Sequence, residues 1–269
     1  MKRIMLQVAY EGSAYHGWQV EDTGLTVEAV LNDALLRLTG ETIRVQGASR
    51  TDAGVHALGN LCIFDTDSPI PPEKFTAALK PYLPQNIVIR RSEEVSSSFH
   101  PRHCDSLKTY EYSFYRDALP NPLVRRYSAL VYRPLNVEAM REAAAYLVGE
   151  HDFKSFCAAG SQALTTVRRI VSIDVREDGS FLRIRVQGTG FLYNMVRILA
   201  GTLLEVGLGR RQADTMQAVL AARERSAAGP TAPPEGLCLM RIDLYPEGFP
   251  AGLWKEEAGE HEETLPSDQ

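Results

Sequence analysis

From Arg3 to Tyr10 apolar and polar residues alternate with a period of two, which predicts a strand. Thr26 then precedes Val27, Val30, Leu31, Ala34, Leu35 and Leu38. That spacing draws a single apolar stripe along a helix, with Thr26 as its N-cap and Gly40 as its stop. Further alternation predicts strands over 42–46 and 58–65. Pro71-Pro72 opens a second helix running to about Lys80, and a strand over 86–91 closes the unit. The order is β-α-β-β-α-β.

The second half of the chain repeats it. A strand over 106–116 places Tyr110, Tyr112 and Phe114 on one face. Asn136 caps a helix to about Leu147, and strands over 170–176 and 181–187 flank Asp178-Gly179 as a hairpin. A long helix over 191–207 carries Leu192, Met195, Val196, Leu199, Leu203 and Val206 as its apolar side. A helix over 212–222, a loop rich in Ala, Pro and Gly, and a strand over 237–244 complete the pattern. The fold class expected is α+β, built from two ferredoxin-like βαββαβ halves with antiparallel sheets. The halves divide as residues 1–105 and 106–254, followed by an acidic tail at 255–269 that reads as disordered. Sheets of this kind offer an open face to RNA.

Charge refines this picture. The chain carries a net charge of −5, and the six acids and one Lys of the tail account for all of it. The body is therefore neutral, and its cations are mostly Arg, a planar fork suited to phosphate and to stacking on bases. Genome composition would give the same Arg bias. No apolar run reaches the roughly 18 residues of a membrane span, and the start lacks a signal-peptide pattern, so a cytoplasmic location is expected. Four widely spaced cysteines without a CxxC pair read as reduced thiols. His100, His103 and Cys104 lack a fourth zinc ligand, so no metal is expected.

The densest candidate chemistry is Gly47-Ala48-Ser49-Arg50-Thr51-Asp52-Ala53-Gly54-Val55-His56-Ala57, between two strands. Taken alone, an Asp in such a turn bonds its own backbone. Arg50 and Asp52 stand two apart with glycine on both sides, so backbone there is also able to approach a ligand closely. This stretch resembles the GxxRTDxGVHA motif around the nucleophile of TruA-type tRNA pseudouridine synthases. Five more segments resemble that family in order: 15–19 (YHGWQ), 108–112 (KTYEY), 151–168 (HDF through TVR), 190–197 (GFLYNMVR) and 233–237 (PPEGL). Ser49 departs from the Gly common at its place.

The resemblance implies an enzyme that converts uridine to pseudouridine at positions 38, 39 and 40 of the tRNA anticodon stem-loop, without cofactor or metal, as a homodimer. It implies Asp52 as nucleophile, Arg197 as its basic partner and Tyr110 as the residue that stacks on the base and assists its proton transfer. Leu237 would line the base pocket, and Arg50 would contact a phosphate or the extruded nucleotide. His56 and Trp18, with His16, would line the RNA cleft. Read without the resemblance, Arg197 is a snorkelling helix residue or a phosphate contact, Tyr110 is a core aromatic on a sheet face and Leu237 is ordinary strand core. An Arg beside Asp52 is expected to keep the carboxylate's pKa low. The competing reading is a non-catalytic RNA-binding protein on the same fold, which would have no need of Asp52, Arg197 and Tyr110 together. A small-metabolite enzyme would show a cofactor or metal signature. Serine-hydrolase and dinucleotide-binding readings fail for want of a GxSxG elbow and a third glycine.

Overall fold

A computed structural model describes residues 1–21 and 24–250; the acidic tail at 255–269, expected to be disordered, lies outside the described residues. The first half contains β1 (Lys2–Tyr10), α1 (Val27–Thr39), β2 (Gln46–Gly47), β3 (His56–Thr66), α2 (Phe75–Leu79) and β4 (Ile87–Val95). The second contains β5 (Asp105–Arg116), β6 (Ala129–Val131), α3 (Val137–Ala145), β7 (Gly149–Asp152), β8 (Val167–Asp178), β9 (Phe181–Gly188), α4 (Met195–Gly207), α5 (Thr215–Ala222) and β10 (Leu237–Tyr245). This is an α+β fold, as the periodicities predict.

The ten strands of the described residues join one sheet, ordered β4-β1-β3-β10-β5-β9-β8-β7, with β2 on β3 and β6 on β5. Pairing is antiparallel except for β10 with β3 and β6 with β5. The last strand of the second half therefore docks on the first half, pairing Cys238 with His56 and Leu239 with Ala57. That short parallel contact brings the loop before β3 beside β10 and β5.

Local chemistry explains most elements. Thr26 caps α1 by accepting from Ala29 N, and Gly40 closes it at φ 77°. Asn136 caps α3 by accepting from Ala139 N. Ile4, Leu6 and Val8 alternate into the same apolar cluster as Val27, Leu31, Ala34 and Leu35 of α1. Each fully buried Val, Leu or Ile among them contributes about 1.5–3 kcal/mol.

Several boundaries differ from expectation. The strand read over 42–46 shrinks to Gln46–Gly47, because Val45 N turns to Asn32 Oδ1 at 2.9 Å instead of to a strand. The helix after Pro71 breaks into one α-turn flanked by 3₁₀ turns, with Pro81 in the last of them. The hairpin loop is Gly179-Ser180, since Asp178 pairs with Phe181 and Gly179 takes φ 58°. The helix read from 191 begins at Met195, and the one read from 212 begins at Thr215. Short strands β6 and β7 were not legible from alternation.

Candidate active site

The loop between β2 and β3 is tied down almost atom by atom. Arg102 Nε donates to Gly47 O at 2.7 Å, Lys108 Nζ to Ala48 O at 3.2 Å and Asn60 Nδ2 to Ser49 O at 3.0 Å. Trp18 N donates to Thr51 O at 3.1 Å, and Tyr10 Oη lies 2.7 Å from Thr51 Oγ1. These partners come from β1, β3, β5, the segment before β5 and the turn after β1. Fixing the carbonyls of residues 47–49 and 51 fixes where the next side chain, Asp52, stands.

Glycine makes this approach possible. Gly17 has φ +88°, and a Cβ there would sit 2.6 Å from Thr51 O. Gly54 has φ +78°, and a Cβ there would meet Pro234 at 3.0 Å. Both positions need a left-handed backbone that only Gly adopts cheaply.

Asp52 faces Arg197, whose Nη1 donates to Asp52 Oδ2 at 3.4 Å. The two side chains are 20% and 15% exposed, so the pair is mostly screened from water. Arg197 enters from the first turn of α4, and Asn194 just before it is in the left-handed conformation at φ 58°. This kink turns Asn194 Oδ1 toward Arg197 Nη1, which donates to it at 2.7 Å, while Arg197 Nε donates to Ala232 O at 2.8 Å. The kink also explains why the helix starts late.

The electrostatics correct one expectation. Burial raises the Asp52 pKa above the ordinary carboxylate value, and the attraction of Arg197 only partly opposes it. Arg197 shares its donors with two other acceptors and stands at a long distance from the carboxylate. Desolvation therefore wins.

Tyr110 lies on β5 with its ring edge-on to Phe191 at 5.2 Å and its hydroxyl 2.9 Å from Ser49 Oγ. Burial pushes its pKa to about 12, so the hydroxyl keeps its proton near neutrality. Leu237 is buried on β10, paired with Tyr112 two residues along β5 from Tyr110. Arg50 is exposed at the rim. Asp52, Tyr110, Leu237, Arg50, Asn194 and Lys108 all line one open cleft of about 1220 Å³. Small-molecule pockets are usually about 300–1,000 Å³, so this one suits part of a larger substrate.

Two expected cleft residues stand elsewhere. Trp18 is wholly buried beneath the loop, where its indole fills the space left by the missing Cβ of Gly47. His56 is buried on β3, accepting from Gly12 N at Nδ1 and packing on Tyr127 at 5.3 Å. The structure gives both a supporting place behind the loop. His16 does line the cleft.

Ser49, Asn60, Asn194 and Lys108 were missed as site residues by sequence reasoning. Lys108 and Asn194 fall inside the recognised segments, so that position was the available signal. Asn60 carried none.

A family model described as tRNA pseudouridine synthase matches residues 6–103 and 143–245. The tRNA pseudouridine synthase A of Moorella thermoacetica is 46% identical over 245 residues, covering 90% of this chain and 100% of its own. That of Ruminiclostridium cellulolyticum is 45% identical over 244 residues, covering 90% and 99%. That of a Thermoanaerobacter strain is 42% identical over 242 residues, with the same coverage.

Proposed function

The chain belongs to the tRNA pseudouridine synthase family, and from that premise we propose that Asp52 is the nucleophile of a uridine isomerase acting on the tRNA anticodon stem-loop. The coarse activity, isomerisation of uridine to pseudouridine in tRNA, comes with the family. The reaction breaks the bond between N1 and C1′, turns the uracil and joins C5 to C1′. C5 loses a proton and N1 gains one, so no atoms are added overall.

The observation that carries the residue assignment is that Asp52, on the wall of the cleft, meets Arg197 from the other half of the chain at 3.4 Å. An ionised carboxylate is needed either to attack C1′ or to stabilise a cationic ribose. Arg197 favours that ionised form against the cost of burial. Tyr110 gives the base an aromatic surface, and its protonated hydroxyl is able to donate to the moving uracil. Leu237 excludes water on the β10 side. The target base must leave the stem, at a cost of a few kcal/mol, and Arg50 at the rim is placed to meet the opened strand.

We assign positions 38, 39 and 40 as the targets on the strength of the family resemblance, together with a homodimer in which one tRNA meets both subunits. Among the described residues no helix is long and apolar enough to cross a membrane. The reading is tested by incubating the purified protein with unmodified tRNA transcripts and mapping pseudouridine. Product confined to the anticodon arm supports it; product elsewhere, or none, overturns it. A purely RNA-binding protein would bind the transcripts and leave every uridine unchanged.

A further inference from the structure

Lys108 and Arg102 share an arrangement that the chemistry at Asp52 does not use. Each spends one N–H on a carbonyl of the nucleophile loop, Lys108 on Ala48 and Arg102 on Gly47. Each has further donors, and both line the same cleft as Asp52. Neither forms an ion pair with a carboxylate among the described residues. Burial together with the nearby cations Arg102 and Arg168 brings the Lys108 ammonium down to about 8. Arg102 is likewise pushed down by burial and by Arg50, with Glu28 opposing more weakly. Lys108, partly buried, and Arg102, exposed at the cleft, have spare donors and no ion pair among the described residues, an electrostatic arrangement that an anion completes.

We propose that Lys108 and Arg102 form a seat for one backbone phosphate of the RNA, placed so that its occupation also holds the Asp52 loop in position. This rests on the reading of the cleft as the RNA site. The seat lies on the loop's carbonyl side, so a phosphate bound there reinforces the two contacts that aim Asp52. Lys108 is thus a positioning residue, coupling the grip on the substrate backbone to the geometry of the nucleophile. Arg50 stands beside Arg102 and extends the same strip toward the rim.

The test is the salt dependence of tRNA binding by the full-length protein. The dissociation constant of an unmodified tRNA transcript is measured across potassium chloride concentrations for the parent, Lys108→Gln, Lys108→Arg and Arg102→Gln. Each phosphate contact contributes about 0.7–0.9 to the slope of log affinity against log salt. Lys108→Gln keeps a donor for Ala48 O but loses the charge, so its slope becomes shallower by about that amount. Lys108→Arg restores the slope, and Arg102→Gln lowers it. The single-turnover rate at saturating tRNA falls in Lys108→Gln as well. Unchanged slopes in both glutamine variants overturn the proposal, whatever happens to the rate, because loop pinning alone leaves the slope untouched. If Lys108→Gln fails to fold, Arg102→Gln decides by the same criterion. A parent that forms pseudouridine while the variants keep its slope removes the seat and leaves the proposed function intact. A parent that does not bind tRNA removes both.

Discussion

Arg197 is held more closely by its structural partners than by Asp52: 2.7 Å to Asn194 Oδ1 and 2.8 Å to Ala232 O, against 3.4 Å to the carboxylate. The guanidinium is thus fixed before Asp52 or any substrate engages it. A cation placed in advance costs no reorganisation when charge develops nearby. Arg197→Lys keeps the charge but lacks the planar fork that serves three acceptors at once. The rate constant at saturating tRNA is expected to fall about 10²–10³-fold, the range for losing one oriented donor at a reacting centre. Single-turnover assays check this, and a Lys variant within about threefold of the parent would show that charge alone suffices.

Asp52 itself is expected to be costly for the fold. Its pKa is raised by burial, so between the unfolded value near 3.9 and the higher folded value the native state holds a proton that the unfolded chain has released. The stability linked to that proton is present at low pH and is lost as pH rises through the folded value. Asp52→Asn resembles the neutral acid. It is expected to abolish pseudouridine formation, keep tRNA affinity within about tenfold and melt no lower than the parent at neutral pH. Its advantage in Tm should shrink as pH falls toward about 4. A markedly lower Tm at neutral pH would contradict this.

The same shift sets the acid limb of activity. If the ionised carboxylate is the working form, kcat/KM falls with decreasing pH, starting above the ordinary carboxylate range. Removing Arg197 takes away the group that lowers the Asp52 pKa, so Arg197→Met should move that limb to still higher pH. A limb that stays in place would uncouple Arg197 from the titration of Asp52. The measurement is kcat/KM against pH for parent and variant on one tRNA transcript.

Tyr110 separates two roles through its hydroxyl. Tyr110→Phe keeps the ring against Phe191 but deprives Ser49 Oγ of its partner at 2.9 Å. The stability change is expected to be about 1 kcal/mol. A rate loss much larger than the loss in affinity assigns the hydroxyl to proton transfer; equal small losses leave only stacking. The pKa near 12 means that no alkaline gain from a phenolate should appear near neutrality.

Periodicity and caps made the architecture legible, because Thr26, Gly40 and Asn136 act within a few residues of themselves. It did not reveal that β10 crosses to pair with β3, since two backbone segments far apart in sequence leave no local mark. Asp52 and Arg197 were legible through the recognised segments, but the direction of the Asp52 pKa was not. It depends on how much water the fold removes and on what else Arg197 binds. Trp18 and His56 misled for a related reason. They lie in or beside the motif segments because they support the loop from behind, and a motif does not distinguish a wall from its buttress.

Gly17 and Gly40 offer a matched test of that buttressing. Both take positive φ, at +88° and +77°. A Cβ at Gly40 would have nothing within 4 Å, whereas one at Gly17 would press on Thr51 O at 2.6 Å. Gly40→Ala therefore meets only the left-handed backbone cost of about 1 kcal/mol, measured as a lower Tm with kcat unchanged. Gly17→Ala meets that cost and also pushes the residue beside Asp52. A displacement on the order of 1 Å at a reacting group lowers rate about 10²-fold, so its kcat should fall far more than its Tm suggests. Equal kcat in the two variants would mean that the loop absorbs the push, and that the contacts at Gly47, Ala48 and Ser49 hold Asp52 without help from the Gly17 turn.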